Sequence, residues 1–164
     1  MSKKKKTNAI RLLERQKIAY EIREFNIDDG LMDGLSVAEK TGQKPNQVFK
    51  TLVTQGEDRN ICVFCLPVSS SLDLKKAAKA AGAKRIRMIP MQDLLARTGY
   101  VHGGCSPVGM KKRYPTWIDQ SAMGYDKICI SGGARGLQVC LAPKELQEMI
   151  DSQWADLIEM EGPL

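Results

Sequence analysis

The stretch VFKTLVTQGEDRNICVFCLPV, residues 48–68, decides the fold. Its opening, VFKTLVT, is rich in β-branched and aromatic side chains and reads as a strand. The polar segment 56–60 is a hairpin loop. The closing ICVFCLPV is almost wholly apolar, which predicts a central strand covered on both faces. So short a loop joins antiparallel neighbours, because a parallel return needs a dozen or more residues.

Working outward, residues 7–16 predict a helix capped by Thr7, with Ile10 and Leu13 on one face. Ile18, Tyr20 and Ile22 alternate with polar or small residues, a strand running to Phe25. Asp28-Asp29-Gly30 is a turn. Ser36 and Glu39 have the spacing of a capping box, which predicts a helix from Ser36 closed by Gly42. Pro45-Asn46-Gln47 turns into the first strand of the hairpin. Beyond the second, LDLKKAAKAAG is a helix opened by Ser71 or Asp73 and closed by Gly82. Residues 85–89 are strand-like, 90–97 form a helix with Pro90 at its start, and 115–118 form a short strand. Residues 127–130 and 137–141 are strands joined by the SGGARG loop, and Pro143 opens an amphipathic helix bearing Leu146, Met149 and Ile150. Strands and helices mix without a strict βαβ repeat. The class is α+β: a single domain with a mixed, mostly antiparallel sheet and surrounding helices.

The 164 residues suit one domain, and 43% hydrophobic with 27% charged residues excludes wholesale disorder. No apolar run approaches the ~20 residues of a membrane span, and no apolar region follows the charged start as in a secretory signal. A cytoplasmic protein with no membrane partner is expected. The net charge is +6, and Lys3, Lys4, Lys5 and Lys6 supply four of the positive charges. Residues 1–6 are expected to be a flexible basic tail, solvated or tethered to a polyanion, before a domain over 7–164. Lys84, Arg85 and Arg87 form a further basic cluster, as do Lys111, Lys112 and Arg113. Five cysteines, an odd number, argue against a disulfide framework. Cys62 and Cys65 form a CxxC, but three apart on a strand they point to opposite faces, so core packing is expected and no metal site.

The segment GYVHGGCSPVG, residues 99–109, is the least ordinary part of the chain. Gly103-Gly104 fits a structural turn first, as most glycine pairs do, and otherwise a loop whose N–H groups converge on an oxyanion or phosphate. SGGARG, residues 131–136, lacks the spacing of a dinucleotide-binding loop, yet Ser131 ends a strand where it could face a cleft. Lys50 sits among apolar neighbours in a strand, so its ammonium snorkels at an edge or faces a cleft that takes an anionic or carbonyl-bearing ligand. No hydrolytic triad can be assembled. His102 has no orienting carboxylate nearby in sequence, and nothing local lowers the Cys105 thiol pKa.

Taken in order, Phe49-Lys50-Thr51-Leu52, LDLKKAAK at 72–79, TGYVHGGCSPVG at 98–109 and SGGARG at 131–136 closely resemble the YbaK/EbsC family of trans-editing aminoacyl-tRNA deacylases. That family is related to the editing domain inserted in bacterial prolyl-tRNA synthetases. The likeness runs from about Ala9 to Ile158 and implies a highly curved sheet. It implies hydrolysis of the ester of mischarged Cys-tRNA(Pro), with Cys-tRNA(Cys) as a further candidate, by attack of the substrate's own thiol. It also implies Lys50, Gly103 and Ser131 as catalytic residues, and Phe25, Gly104, Ser106, Gly132, Gly133 and Arg135 as substrate-binding ones. Phe25 stands where the family often has Tyr, which removes a hydroxyl. No cofactor is implied. The implied partners are aminoacyl-tRNA and prolyl-tRNA synthetase, with no oligomeric state specified. The alternatives are an Ala-tRNA(Pro) deacylase using a positioned water, and a non-catalytic RNA-binding module of the same fold.

Overall fold

A computed structural model of the chain describes residues 6–160. The chain-order elements are α1 (Asn8–Arg15), β1 (Tyr20–Glu24), α2 (Gly34–Thr41), β2 (Phe49–Gly56), β3 (Ile61–Pro67), α3 (Leu74–Ala81) and β4 (Ile86–Met88). They are followed by α4 (Leu94–Thr98), β5 (Thr116–Asp119), β6 (Ile128–Ser131), β7 (Leu137–Leu141), α5 (Pro143–Met149) and β8 (Gln153–Ala155). The expected basic tail falls, apart from Lys6, outside the described residues, and Lys6 pairs with Glu14 at 2.8 Å.

The strands form two sheets, ordered β1-β7-β6 and β4-β2-β3-β5-β8. The hairpin of residues 48–68 is β2 and β3, with Lys50 opposite Leu66, and apolar β3 lies inside the larger sheet between β2 and β5. The pairings β1–β7, β2–β3, β2–β4 and β6–β7 are antiparallel, while β3–β5 and β5–β8 are parallel. The single sheet of the sequence reading is therefore divided, and a parallel bridge between Val48 and Cys129 joins the halves. Short β8, at the sheet's edge, was not expected: three residues are too few to display an alternation.

Local chemistry sets the element ends. Thr7 caps α1 by accepting the Ile10 N–H at 3.2 Å. The capping box at Ser36 is not what opens α2. Asp33 does so, two residues before Leu35, accepting the Ser36 N–H at 3.2 Å and the Ser36 hydroxyl at 2.6 Å. A carboxylate so placed accepts the orphan N–H of Ser36 itself, inside the first turn of the helix. Asp73, not Ser71, opens α3 by accepting from the Lys75 and Lys76 N–H groups. The helix expected over 90–97 is a 3-10 turn at Met91–Asp93 followed by α4, which Gly99 closes at φ 83°.

The main core lies where α1, α5 and the two sheets meet, around Leu13, Phe49, Ile118, Ile130 and Leu146. A second core on the α3 side holds Phe64 stacked on Trp117, ring centroids 5.3 Å apart. Cys65 packs in the first core and Cys62 against the second, on opposite faces of β3. The cysteine count misled in one respect: Cys129 and Cys140 are joined by a disulfide. They face each other across β6 and β7 with Cα atoms 4.1 Å apart. Close approach of opposed residues follows from strand register, which a count does not see.

Candidate active site

Between the two sheets lies a cleft of about 620 Å³, lined by Lys50, Gly103, Ser131 and Phe25 among others. Strand β4 pairs β2 only at Thr54, Gln55 and Gly56, so the N-terminal half of β2 meets the cleft along an edge that β4 leaves uncovered. Val68 N–H donates to the Val48 carbonyl on the β3 side, and Ile89 N–H donates to the Val53 carbonyl on the other. Thr51 stands opposite Cys65 of β3, and by the strand's alternation its N–H and C=O turn the other way, toward an edge where no strand among the described residues pairs with it. The walls are apolar: Val37, Met32, Met88, Met91, Leu94 and Ile130 supply much of the lining. Polar groups are few, as in cofactor and substrate clefts generally.

Lys50 is half-buried, and its ammonium has no ion pair or hydrogen-bond partner among the described residues. Burial pulls its pKa below the ordinary 10.5. Ser131 ends β6, and its Oγ accepts the Gly133 N–H at 3.2 Å, which leaves the hydroxyl proton to donate. Gly103 lies exposed at φ 86° in the neighbouring loop, where a Cβ would come 3.6 Å from the Arg135 side chain. The Arg135 Nε–H donates at 3.0 Å to the His102 carbonyl, the other end of the peptide unit that carries the Gly103 N–H.

The remaining candidates do not line the cleft; they build its two loops. Gly104 is buried and spends its N–H on the Val101 carbonyl. Ser106 is fully buried, and its Oγ accepts the Val108 N–H at 3.2 Å. Gly132 donates to the Leu137 carbonyl and accepts at its own carbonyl from the Thr7 hydroxyl. A Cβ on Gly133 would meet the Tyr100 ring at 2.9 Å and Thr7 at 3.0 Å. Arg135 is exposed and points its guanidinium at His102. Tyr100, which sequence reasoning gave no role, is the hub: it packs at Gly133 in one loop and donates to the Val108 carbonyl at 2.6 Å in the other.

The two loops touch backbone to backbone. A Cβ on Gly104 would lie 3.0 Å from the Ala134 carbonyl carbon and the Arg135 nitrogen. Backbone cannot yield as a side-chain tip can, so Gly104→Ala is expected to cost about 1–3 kcal/mol. At roughly 2–4 °C per kcal/mol for a chain of this size, Tm drops by about 2–12 °C. An unchanged Tm in thermal unfolding would show that the loops separate freely.

His102 and Cys105, open questions in the sequence, both line the cleft. Burial pushes the Cys105 thiol up to about 11, partly offset by a hydrogen bond with Thr98. The thiol therefore stays protonated near neutral pH and is a poor nucleophile. Among the described residues no group of three His, Cys, Asp or Glu side chains is placed to hold a metal ion. No helix among them is long and apolar enough to cross a membrane.

A divided α+β sheet with an apolar cleft walled by paired glycine loops is the architecture of an aminoacyl-tRNA editing domain. The sequence profile of that family, the aminoacyl-tRNA editing domain, matches residues 32–149, and the chain belongs to it. The chain is 43% identical, over 98% of its own length and 100% of the other's, to a protein of Enterococcus faecalis provisionally named Cys-tRNA(Pro)/Cys-tRNA(Cys) deacylase EbsC. It is 29% identical over 99 residues, 60% of this chain and 17% of the other, to a proline–tRNA ligase of Shouchella clausii. A crystal structure provisionally described as a trans-editing enzyme for prolyl tRNA synthetase is similar at TM-score 0.83 and 27% identity, covering 93% of this chain and 96% of that one.

Proposed function

We propose that the chain is a trans-editing deacylase that cleaves the aminoacyl ester of Cys-tRNA(Pro), with Lys50, Gly103 and Ser131 acting on the substrate. One observation carries the reading: three stretches far apart in sequence bring these residues to one cleft in an editing-domain chain. The cleft offers no activated nucleophile, since the Cys105 thiol is held protonated. The substrate supplies its own. Its thiol sulfur attacks the ester carbonyl, a carbon–sulfur bond forms, and the carbon–oxygen bond to the ribose breaks. The thiol proton goes to the departing ribose oxygen, and water then opens the cyclic thioester to free cysteine. The protein positions the acyl group and stabilises developing negative charge.

Lys50 meets the phosphate of the terminal nucleotide. The Gly103 N–H polarises the ester carbonyl. Arg135 acts behind it: a trans peptide directs its C=O and N–H oppositely, so gripping the His102 oxygen turns the Gly103 N–H away from the guanidinium. Ser131 donates its free proton to the acyl or ribose end. Phe25 packs against the adenosine through its ring. The protein works in the cytoplasm beside prolyl-tRNA synthetase, the source of the mischarged tRNA.

Lys50 is needed as a cation, and burial disfavours that form, so its proton leaves at lower pH than from a free lysine. The specificity constant, kcat/KM, is expected to decline as pH rises through this lowered pKa, before the ordinary lysine range. In a Lys50→Arg variant the descending limb should move to higher pH; a limb that stays in place belongs to another group. The function as a whole is tested by incubating the purified chain with cysteinyl-tRNA(Pro) and following release of cysteine. No release by folded protein overturns it.

A further inference from the structure

Between Asp93 and Asp119 the sequence holds no aspartate or glutamate, yet it holds Arg97, Lys111, Lys112 and Arg113. All four are exposed. Two hydrogen bonds gather them from separate segments: the Tyr114 hydroxyl donates to the Arg97 carbonyl at 2.7 Å, and the Lys111 N–H donates to the Thr98 carbonyl at 2.9 Å. None of the four has an ion pair among the described residues, whereas Arg23, Lys40, Lys76, Arg85 and Lys127 each sit beside a carboxylate. The cluster adjoins the cleft. Leu94 and Cys105 line it, and both pack with Tyr114 in one apolar group. Thr98, whose carbonyl holds Lys111, also hydrogen-bonds Cys105.

We propose that Arg97, Lys111, Lys112 and Arg113 form the surface that holds the phosphate backbone of the RNA whose acylated end enters the cleft. This rests on the deacylase reading. Four like charges gathered without a counter-charge repel one another, so the arrangement is satisfied by a polyanion from outside. The surface is open and multiply charged, which suits a run of phosphates, and it reaches from the cleft's Leu94 and Cys105 side round to a small hollow that Lys112 and Arg113 border with Leu12 and Met149. Lys and Arg that meet phosphates displace condensed cations, which makes the binding steeply salt-dependent. Sequence selection is not expected, because such contacts position an RNA without reading its bases.

The test compares the full chain with a variant combining Lys111→Ala, Lys112→Ala and Arg113→Ala. Binding of uncharged tRNA is measured across salt concentrations. Three lost phosphate contacts lower the slope of log K against log salt by about 2–2.7, so from about 50 to 200 mM salt the wild type loses roughly 20- to 40-fold more affinity than the variant. A second variant, Lys111→Arg, Lys112→Arg and Arg113→Lys, keeps the charges and should keep the wild-type slope. Equal slopes for wild type and the alanine variant overturn the proposal, as does loss of slope in the charge-preserving variant. Cysteinyl-adenosine, too short to reach the cluster, separates the two readings. If the wild type hydrolyses neither it nor cysteinyl-tRNA, the deacylase reading falls while the salt slopes still decide the RNA surface. If the alanine variant loses turnover of cysteinyl-adenosine, the cluster acts through the cleft's structure and the proposal falls.

Discussion

Replacement of Lys50 by alanine is expected to lower kcat/KM for deacylation about 100- to 1000-fold, within the roughly 2–5 kcal/mol lost when a desolvated charge pair, here with the terminal phosphate, loses one partner. The fold should not suffer. The ammonium has no partner to strand among the described residues, and burial lowers its pKa, so the folded state carries its charge at a cost. Replacing the ammonium removes that cost, so at neutral pH a Lys50→Met variant should unfold at the same temperature as wild type or higher. Loss of activity with a Tm that falls equally would mean that position 50 supports packing, and the catalytic assignment would be lost. Lys50→Arg should recover part of the rate, since its charge remains while its reach and shape differ.

The second large effect lies in the substrate. Seryl- and alanyl-tRNA(Pro) are expected to react at least about 100-fold more slowly than cysteinyl-tRNA(Pro), because a thiol is a few per cent thiolate near pH 7 and a hydroxyl or methyl offers no comparable nucleophile. The cleft is too large and too apolar for size alone to reject alanine: its volume is about 620 Å³. One methyl or thiol more or less in a hydrophobic pocket discriminates by about 1–3 kcal/mol, roughly 10- to 200-fold, so the seryl substrate, nearly the size of the cysteinyl one, is the decisive comparison. Equal rates on the three substrates would place the attack on a bound water. Alanyl-tRNA faster than cysteinyl-tRNA would move the chain to the alanine-clearing alternative.

Much of this architecture was legible because its signals are local. The apolar run of β3, the Asp73 and Gly82 ends of α3 and the SGGARG hairpin are each written within a few residues. What the sequence hid depends on partners far away. The division into two sheets follows from β2 and β6 meeting only at the Val48–Cys129 bridge, and the Cys129–Cys140 bond follows from register. The cap of α2 went to Asp33, which the capping-box spacing of Ser36 and Glu39 does not reveal, because only geometry shows which side chain reaches the free N–H. The cleft itself was half legible. Lys50 stood out as a lysine among apolar neighbours in a strand, Ser131 as the end of a strand beside a glycine loop, and the resemblance joined both to Gly103. Gly104, Ser106, Gly132 and Gly133 carry the same motifs, yet they face inward, holding one loop against the other. A motif marks a loop as special without telling which of its atoms look outward.

The Thr7 hydroxyl does two jobs at once, receiving the Ile10 N–H and giving its own proton to the Gly132 carbonyl. The wall that carries Ser131 is thereby fastened to the first turn of α1, more than a hundred positions away. When that turn frays, the hydroxyl lets go of both, so the tip of SGGARG can be no better ordered than the start of the helix. Warmth or solvent acting on a surface far from the chemistry would loosen the hand that holds the substrate.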